Sequence, residues 1–511
     1  MATVVTCFAI QGIEGYKVDI EAKALDGMPM ITIIGMGDQA IKEAAERLEA
    51  AIDESGYAFP KKKVILSLAP GDRKKRGTHF DLAMAICLLQ QCNEISCREL
   101  SNYGFIGELS LDGHLRGCNG ILPMIIAARD AHIPKMIVPQ ENYKEAKLVK
   151  GIEILAFECL RDVVLYLEGK MRVSSEPNDV SGLEEQQIVM DFSDVKCQND
   201  IIDAAVLAAA GGHNMLMIGE PGCGKTMIAS RIPSILPEMT EEECLELTKI
   251  YSISGLINKN GLITERPFRA PHHNASLNAL IGGGMYALPG EVSLAHNGVL
   301  FLDEIAEFTK RTLDALRQPI EDKKVSISRV NGSNTFPANF MFVAAMNPCP
   351  CGYYPSAKCR CTDYEIIKYR SKISGPIMDR IDIQKEVYPV GFFDVANASP
   401  APSSAQLREK VKQARKLQME RFKEINGIYT NAQMTTDMIK EFCKLDNETT
   451  EYMRQQCEKY NYSARVIHKL LRMARTCADL ENHTGILLSD VKKILTYRNL
   501  DKSNSELVVV R

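Results

Sequence analysis

Apolar residues fall into three rhythms along this chain. Near the front, Tyr16, Val18, Ile20 and Ala22 alternate with Lys17, Asp19 and Glu21, the pattern of a half-buried strand. Ile41, Ala44, Leu48 and Ile52 recur at helical spacing, and Val64 to Leu68 reads as another strand. These predict an α/β domain over residues 1–170. Residues 171–190 are polar, carry Pro177 and read as a linker. Between 191 and 395 the apolar residues come instead as short continuous runs: Met215–Ile218, Val299–Leu302 and Phe340–Met346. Such runs predict strands buried on both faces of a parallel sheet. After 395 the breaker stretch Ala398–Ser404 leads into a charged, helix-favouring run from Leu407 to Phe422. An amphipathic helix with Ile467, Leu470, Leu471 and Ala474 begins near Tyr462, so residues 396–511 read as a helical domain.

The first apolar run is followed by Gly219-Glu220-Pro221-Gly222-Cys223-Gly224-Lys225-Thr226, which fits G-x-x-x-x-G-K-[ST]. Met227-Ile228-Ala229 then continues as the start of a helix. Strand, glycine-rich loop and helix are the context in which backbone N–H groups cradle phosphates. Lys225 would reach the β and γ oxygens of ATP, and the Thr226 hydroxyl would ligate Mg²⁺.

The second run ends in Asp303-Glu304. A buried parallel strand delivers such acids to the edge of the sheet where nucleotide binds. Asp303 would hold Mg²⁺ and Glu304 would polarise the attacking water. The third run ends at Asn347, a polar tip suited to orienting that water. Arg380, in Gly375-Pro376-Ile377-Met378-Asp379-Arg380-Ile381-Asp382, is a candidate arginine finger for a neighbouring subunit; the alternative is an ion pair with Asp379 or Asp382.

Composition narrows the class. Of 511 residues, 45% are hydrophobic and 25% charged, ordinary for a globular protein of roughly three domains. A net charge of -4 argues against a protein that coats nucleic acid with a broadly basic surface, without excluding local cations in a ring pore. Most of the sixteen cysteines lie scattered in apolar segments, the start lacks a basic export-signal region, and no apolar run reaches the ~18 residues of a membrane span. A cytoplasmic protein without membrane partners is expected.

Cys349, Cys351, Cys359 and Cys361 form C-x-C-x₇-C-x-C. Four thiolates at this spacing could wrap one tetrahedral Zn²⁺; reduced loop cysteines and a redox-sensitive pair are the alternatives. Lys323 to Phe342 reads as a hairpin turning at Asn331-Gly332, with Lys324 and Arg329 either as candidate DNA-phosphate contacts or as part of a plain solvated face. His272, His273 and His296 lie between the two nucleotide motifs, and metal binding is the less favoured reading of them. Cys223, inside the loop, is a candidate point of thiol sensitivity.

These motifs, in this order, resemble an AAA+ ATPase. Arg266 to Ser276, Gly282-Gly283-Gly284 and Pro289 to Gly298 resemble its magnesium-chelatase-like branch. The front region and the cysteine segment resemble the ComM/YifB family within it. The resemblance implies an α/β AAA+ P-loop core, a front domain like that of Lon protease (ribosomal S5 domain 2-like) and a C-terminal helical lid. His79 falls where a Lon-type protease carries its serine, which implies no peptidase activity. Arg465 matches a second sensor arginine that meets the γ-phosphate when the lid closes. Resemblance to the magnesium-chelatase-like branch implies that His272, His273 and His296 stabilise an insertion between the two nucleotide motifs or contact substrate. The family places Val195 to Gln198 near the adenine, with glycine where this chain has Cys197. It further implies a homo-hexamer, DNA as the polymer moved, recombination proteins as partners, and branch migration in natural transformation as the work. A chelatase-type motor acting on a protein partner and an ATP-dependent protease or unfoldase are the alternatives.

Overall fold

The computed structural model describes residues 2–97, 99–172, 190–257, 261–284, 287–329, 332–391, 401–425 and 427–498. Most of the expected linker (173–189), Ala398 to Pro400 of the breaker stretch and the turn residue Asn331 lie outside them, as does the side chain of Arg329.

The front of the chain builds a seven-stranded mixed sheet. Its strands are β1 (Thr3–Gln11), β2 (Glu14–Leu25), β3 (Met30–Ile34), β4 (Lys63–Ala69), β5 (Tyr103–Phe105), β8 (Lys135–Pro139) and β9 (Glu153–Phe157), in the order β3-β4-β2-β1-β5-β8-β9. A small hairpin, β6 (Glu108–Leu109) with β7 (Leu115–Arg116), stands apart. The alternation read in the sequence has its cause here: Val18, Ile20 and Ala22 of β2 and Val64, Leu66 and Leu68 of β4 are all buried. Ile41, Ala44, Leu48 and Ile52 are buried too, along the helical turns Gln39–Lys42 and Ala44–Glu54.

The second sheet holds β10 (Met215–Gly219), β11 (Phe268–Arg269), β14 (Val299–Leu302), β17 (Met341–Met346) and β18 (Ile383–Val387), all parallel, in the order β11-β14-β17-β10-β18. Successive side chains of a strand point to opposite faces, so a doubly covered sheet needs apolar residues at every position. Met215, Met217, Val299, Phe301, Val343 and Ala345 join the core that includes the C-terminal helices. Leu216, Ile218, Leu300, Leu302, Phe342 and Ala344 join a second core on the other face. That core also takes Val325, Ile327 and Phe336 from the antiparallel hairpin β15 (Lys324–Arg329) and β16 (Gly332–Pro337). A short pair, β12 (Gly282–Gly283) and β13 (Leu288–Pro289), lies between β11 and β14 in sequence.

The C-terminal helices include Ser404–Arg421, Asn447–Tyr460, Ala464–Leu480 and Leu488–Leu495. Ser403 caps the first through a capping box with Gln406. Buried polar groups tie these helices to the sheet: His213 reaches Asp382 at 3.3 Å and Thr476 at 2.9 Å. Burial alone would raise the Asp382 carboxyl, but the hydrogen bond and charge of His213, with Lys469 and Arg472, carry it down to about 2. The front sheet is attached as well. Buried Glu145 accepts from the Leu122 N–H and the Ser252 hydroxyl, joining it to the helix Glu241–Ile253.

Candidate active site

The strand β10 runs into the loop Gly219–Gly224, and the helix Lys225–Ile235 starts directly behind it. Two glycines have steric reasons. Gly224, the helix N-cap, has φ +87°, and a Cβ on Gly219 would lie 2.4 Å from the Val387 carbonyl of β18. The ammonium of Lys225, almost wholly buried, donates to the carbonyls of Gly219 (2.7 Å) and Glu220 (3.0 Å) and to Asn347 Oδ1 (3.3 Å). The Thr226 hydroxyl donates to Asp303 Oδ2 at 2.7 Å. Because β10, β14 and β17 are parallel neighbours, their C-terminal ends bring Lys225, Thr226, Asp303 and Asn347 to one place.

Glu304 follows Asp303 with φ +48°, an uncommon left-handed conformation for a glutamate. Its backbone N–H donates to Asp303 Oδ1 at 2.9 Å, and His273 Nδ1 stands 3.7 Å from its carboxylate. The sequence did not single out this His–Glu pair, since the partners lie 31 positions apart with nothing local linking them. His296 bridges elements, contacting Glu246 at 3.0 Å and accepting from the Asn339 N–H at 3.0 Å.

Arg380 and Arg465 do not join this group. Arg380 donates to Pro376 O at 2.7 Å and pairs with Glu321 rather than with Asp379 or Asp382. Asp379 instead pairs with Arg465 at 3.3 Å, and Asp382 is taken by His213. One turn along the helix from Arg465, Lys469 donates to Ile381 O at 3.0 Å. The segment bearing Arg380 is therefore held by the helix bearing Arg465.

Two cysteines of the region differ from expectation or explain it. The Cys223 thiol is buried and pushed up by that burial, although Lys225 opposes the shift; this counts against the expected thiol sensitivity. Cys197 has φ +57°, a conformation suited to glycine, so the family's glycine has a backbone reason here. The neighbouring Gln198 amide donates to the Cys223 carbonyl at 3.0 Å, which fixes this segment against the phosphate-type loop.

The sulfurs of Cys349, Cys351, Cys359 and Cys361 all lie within 4.8 Å of one another. Cys349–Cys351, Cys351–Cys359 and Cys349–Cys359 are 3.3, 3.6 and 3.7 Å apart. Thiolates about 2.3 Å from a tetrahedral Zn²⁺ stand roughly 3.8 Å from each other, so the cluster fits that ion. Backbone N–H groups of Arg360 and Tyr353 draw the Cys351 thiol down to about 6. The loop also abuts the nucleotide-type loop: a Cβ on Gly352 would lie 2.8 Å from Pro221 Cδ.

Comparison with known proteins assigns the chain to a family. The family described as magnesium chelatase, subunit ChlI, matches residues 191–394; its companions, subunit ChlI of Mg-chelatase and the ChlI C-terminal family, match 20–142 and 401–498. The class is that of magnesium-chelatase-like AAA+ ATPases. YifB of Escherichia coli is 38% identical over 97% of this chain and 96% of its own. The competence protein ComM of Haemophilus influenzae is 38% identical over 96% of each. The chain belongs to the ComM/YifB family. Over 168 residues, 30% of this chain and 20% of the relative, it is also 26% identical to Lon protease of Chlamydia muridarum. Among the described residues no helix is long and apolar enough to cross a membrane.

Proposed function

We propose that this protein is an ATP-driven motor that assembles as a homo-hexamer in the cytoplasm and promotes branch migration of DNA recombination intermediates. One observation carries the ATPase part: Lys225 meets Asn347 while Thr226 meets Asp303, where three parallel strands end. Lys225 would exchange its carbonyl partners for the β and γ oxygens of ATP. Thr226 and Asp303 would hold Mg²⁺, which when bound neutralises charge on the phosphate oxygens. Their oxygens, 2.7 Å apart, are close enough to be adjacent ligands of one small octahedral ion. Glu304 would take the proton from the attacking water, Asn347 would orient that water, and Arg465 would meet the γ-phosphate as the lid closes. Arg380 would serve the next subunit's nucleotide, which suits its position outside its own site.

The DNA part is supported by the likeness to a competence protein and by the hairpin β15–β16, whose Lys324, Ser326 and Thr335 are exposed. The cysteine cluster would hold a structural Zn²⁺ beside the nucleotide loop. The front domain would be non-proteolytic, since the half-buried His79 offers no hydroxyl nucleophile. The test is strand exchange on a labelled four-way junction. ATP-dependent conversion to duplex products, lost in Lys225→Ala, supports the motor; conversion equal in both proteins, or absent in both while ATP is hydrolysed, removes the branch-migration reading.

A further inference from the structure

The loop after β4 reads Asp72-Arg73-Lys74-Lys75-Arg76, a run of four cations that the nucleotide chemistry does not use. The fold separates them. Lys75 turns inward, fully buried, and its ammonium donates to the Pro70 carbonyl. Its backbone is bonded on both sides, its N–H to Met36 O at 3.2 Å and its carbonyl to the Asp38 N–H at 3.1 Å. Asp38 also accepts from the Gly77 N–H at 3.1 Å. The loop is thus pinned from inside, with Arg73 and Lys74 exposed and Arg76 half-buried.

This loop lies beside the hairpin of the second sheet. Gly12, Tyr16 and Arg73 line one cleft with Asn334 and Thr335 of β16. A Cβ on Gly12 would lie 3.7 Å from the Thr335 carbonyl, and Ile13 packs on the core beneath the hairpin. The hairpin buries Val325, Ile327 and Phe336 and turns Lys324, Ser326 and Thr335 outward. Arg73 sits 5.0 Å from the ring centroid of Tyr16. Among the described residues no carboxylate pairs with Arg73, Lys74, Arg76 or Lys324 within 4.0 Å. Glu14 shares the lining of this cleft, Asp72 precedes Arg73 in the chain, and Lys17 is engaged by Asp19 at 3.0 Å. Arg73 thus lines the cleft with Glu14, Tyr16 and Thr335, and its neighbours Lys74 and Arg76, like Lys324 of the hairpin, have no carboxylate partner among the described residues.

We infer that Arg73, Lys74 and Arg76 of the front domain, continued by the outward face of β15–β16, form a binding surface for the phosphate backbone of single-stranded DNA. Cations that track a backbone beside an aromatic face are the means by which such strands are held without sequence preference. The front domain then has a task of its own: it extends the motor's grip on the strand beyond the hairpin. This inference rests on the reading that DNA is the polymer moved.

The experiment titrates the full-length protein with a labelled oligodeoxythymidine across a salt series. It compares wild type with Arg73→Glu/Lys74→Glu and with Lys440→Glu/Lys444→Glu, an equal charge change at exposed sites of the helical region. Each phosphate contact to a single strand contributes about 0.7 to the salt slope, so losing two should lower the slope by about 1.4 and weaken binding about tenfold or more at low salt. The control pair should bind like wild type, and ATP hydrolysis without DNA should be unchanged in both. If hydrolysis falls, Arg73→Gln/Lys74→Gln replaces the reversal and is read in the same way. Unchanged affinity and slope in the loop variant, with wild type binding DNA, overturns the surface alone. Equal loss in the control pair overturns it too. Wild type that binds no DNA overturns the DNA reading itself.

Discussion

Arg465 pairs with Asp379 at 3.3 Å, and Asp379 is the residue before Arg380. In the proposed ring, one side chain thus links the arginine that senses the subunit's own nucleotide to the segment that serves its neighbour's. A swing of Arg465 onto a γ-phosphate would break its pair with Asp379. The pair is largely exposed, so its strength is about 1 kcal/mol or less. Asp379→Ala should therefore lower KM for ATP a few-fold at most with kcat nearly intact. Arg465→Ala should keep nucleotide binding and lose most of kcat. Steady-state kinetics of the two variants decide this; equal kcat in Arg465→Ala and wild type removes Arg465 from the mechanism.

Cys197 supplies a stability test. A non-glycine residue at φ +57° costs roughly 1–2 kcal/mol, part of which glycine returns through the entropy of the unfolded chain. Cys197→Gly should raise the stability of the ATPase region by about 1 kcal/mol, seen as a higher urea midpoint with an unchanged slope. A lower midpoint would mean that the cysteine side chain contributes more than its backbone strain.

Much of the ATPase core was legible because its central strands are buried on both faces. The runs at 215–218, 299–302 and 341–346 are continuous for that reason. The sheet's edge strand β18 was not read, because Gln384 and Lys385 interrupt its apolar pattern. Both are buried all the same, Lys385 reaching Asp200 at 3.5 Å and lying over the Tyr497 ring. Charge pairing was the least legible part. Arg380 has acids at the positions before it and two after it, yet it bonds Glu321, 59 positions away. Local sequence carries no signal for such partners. Hydrophobic period fixes which face a residue occupies, and only the packed fold fixes which charges meet.

The cysteine cluster predicts one Zn²⁺ per chain, measurable by elemental analysis of the purified protein. Cys351→Ser together with Cys359→Ser should abolish it. Because Gly352 lies against Pro221, loss of the ion should also raise KM for ATP. Gly352→Ala should act in the same direction with zinc retained, since its Cβ would press on the loop at φ +87°. A protein isolated without zinc, with unchanged KM in the double variant, contradicts the structural-metal reading.

His79 is expected to make the front domain sensitive to acid. Burial holds its imidazole down at about 4, below the ordinary 6.5, so the folded state keeps it neutral. A depressed histidine contributes stability that is present above about 6.5 and is lost as pH falls toward about 4, because the unfolded chain takes up the proton first. Asp81, raised to about 6 mainly by burial against the pull of Arg47, acts in the opposite sense over part of the same range. The comparison must therefore be with His79→Gln, which keeps Asp81. Relative to wild type, the variant should gain on the order of 2 kcal/mol between pH 6.5 and pH 4, read from melting curves. A difference that does not change with pH contradicts a neutral His79 with its Nε2 buried.

The most direct test of the central claim is ATP hydrolysis by the purified protein with and without forked or four-way-junction DNA, beside Lys225→Ala and Glu304→Gln. Stimulation by DNA that both substitutions abolish is the predicted result. Hydrolysis that is indifferent to every form of DNA would contradict a motor on DNA, and hydrolysis that survives both substitutions would contradict the site itself.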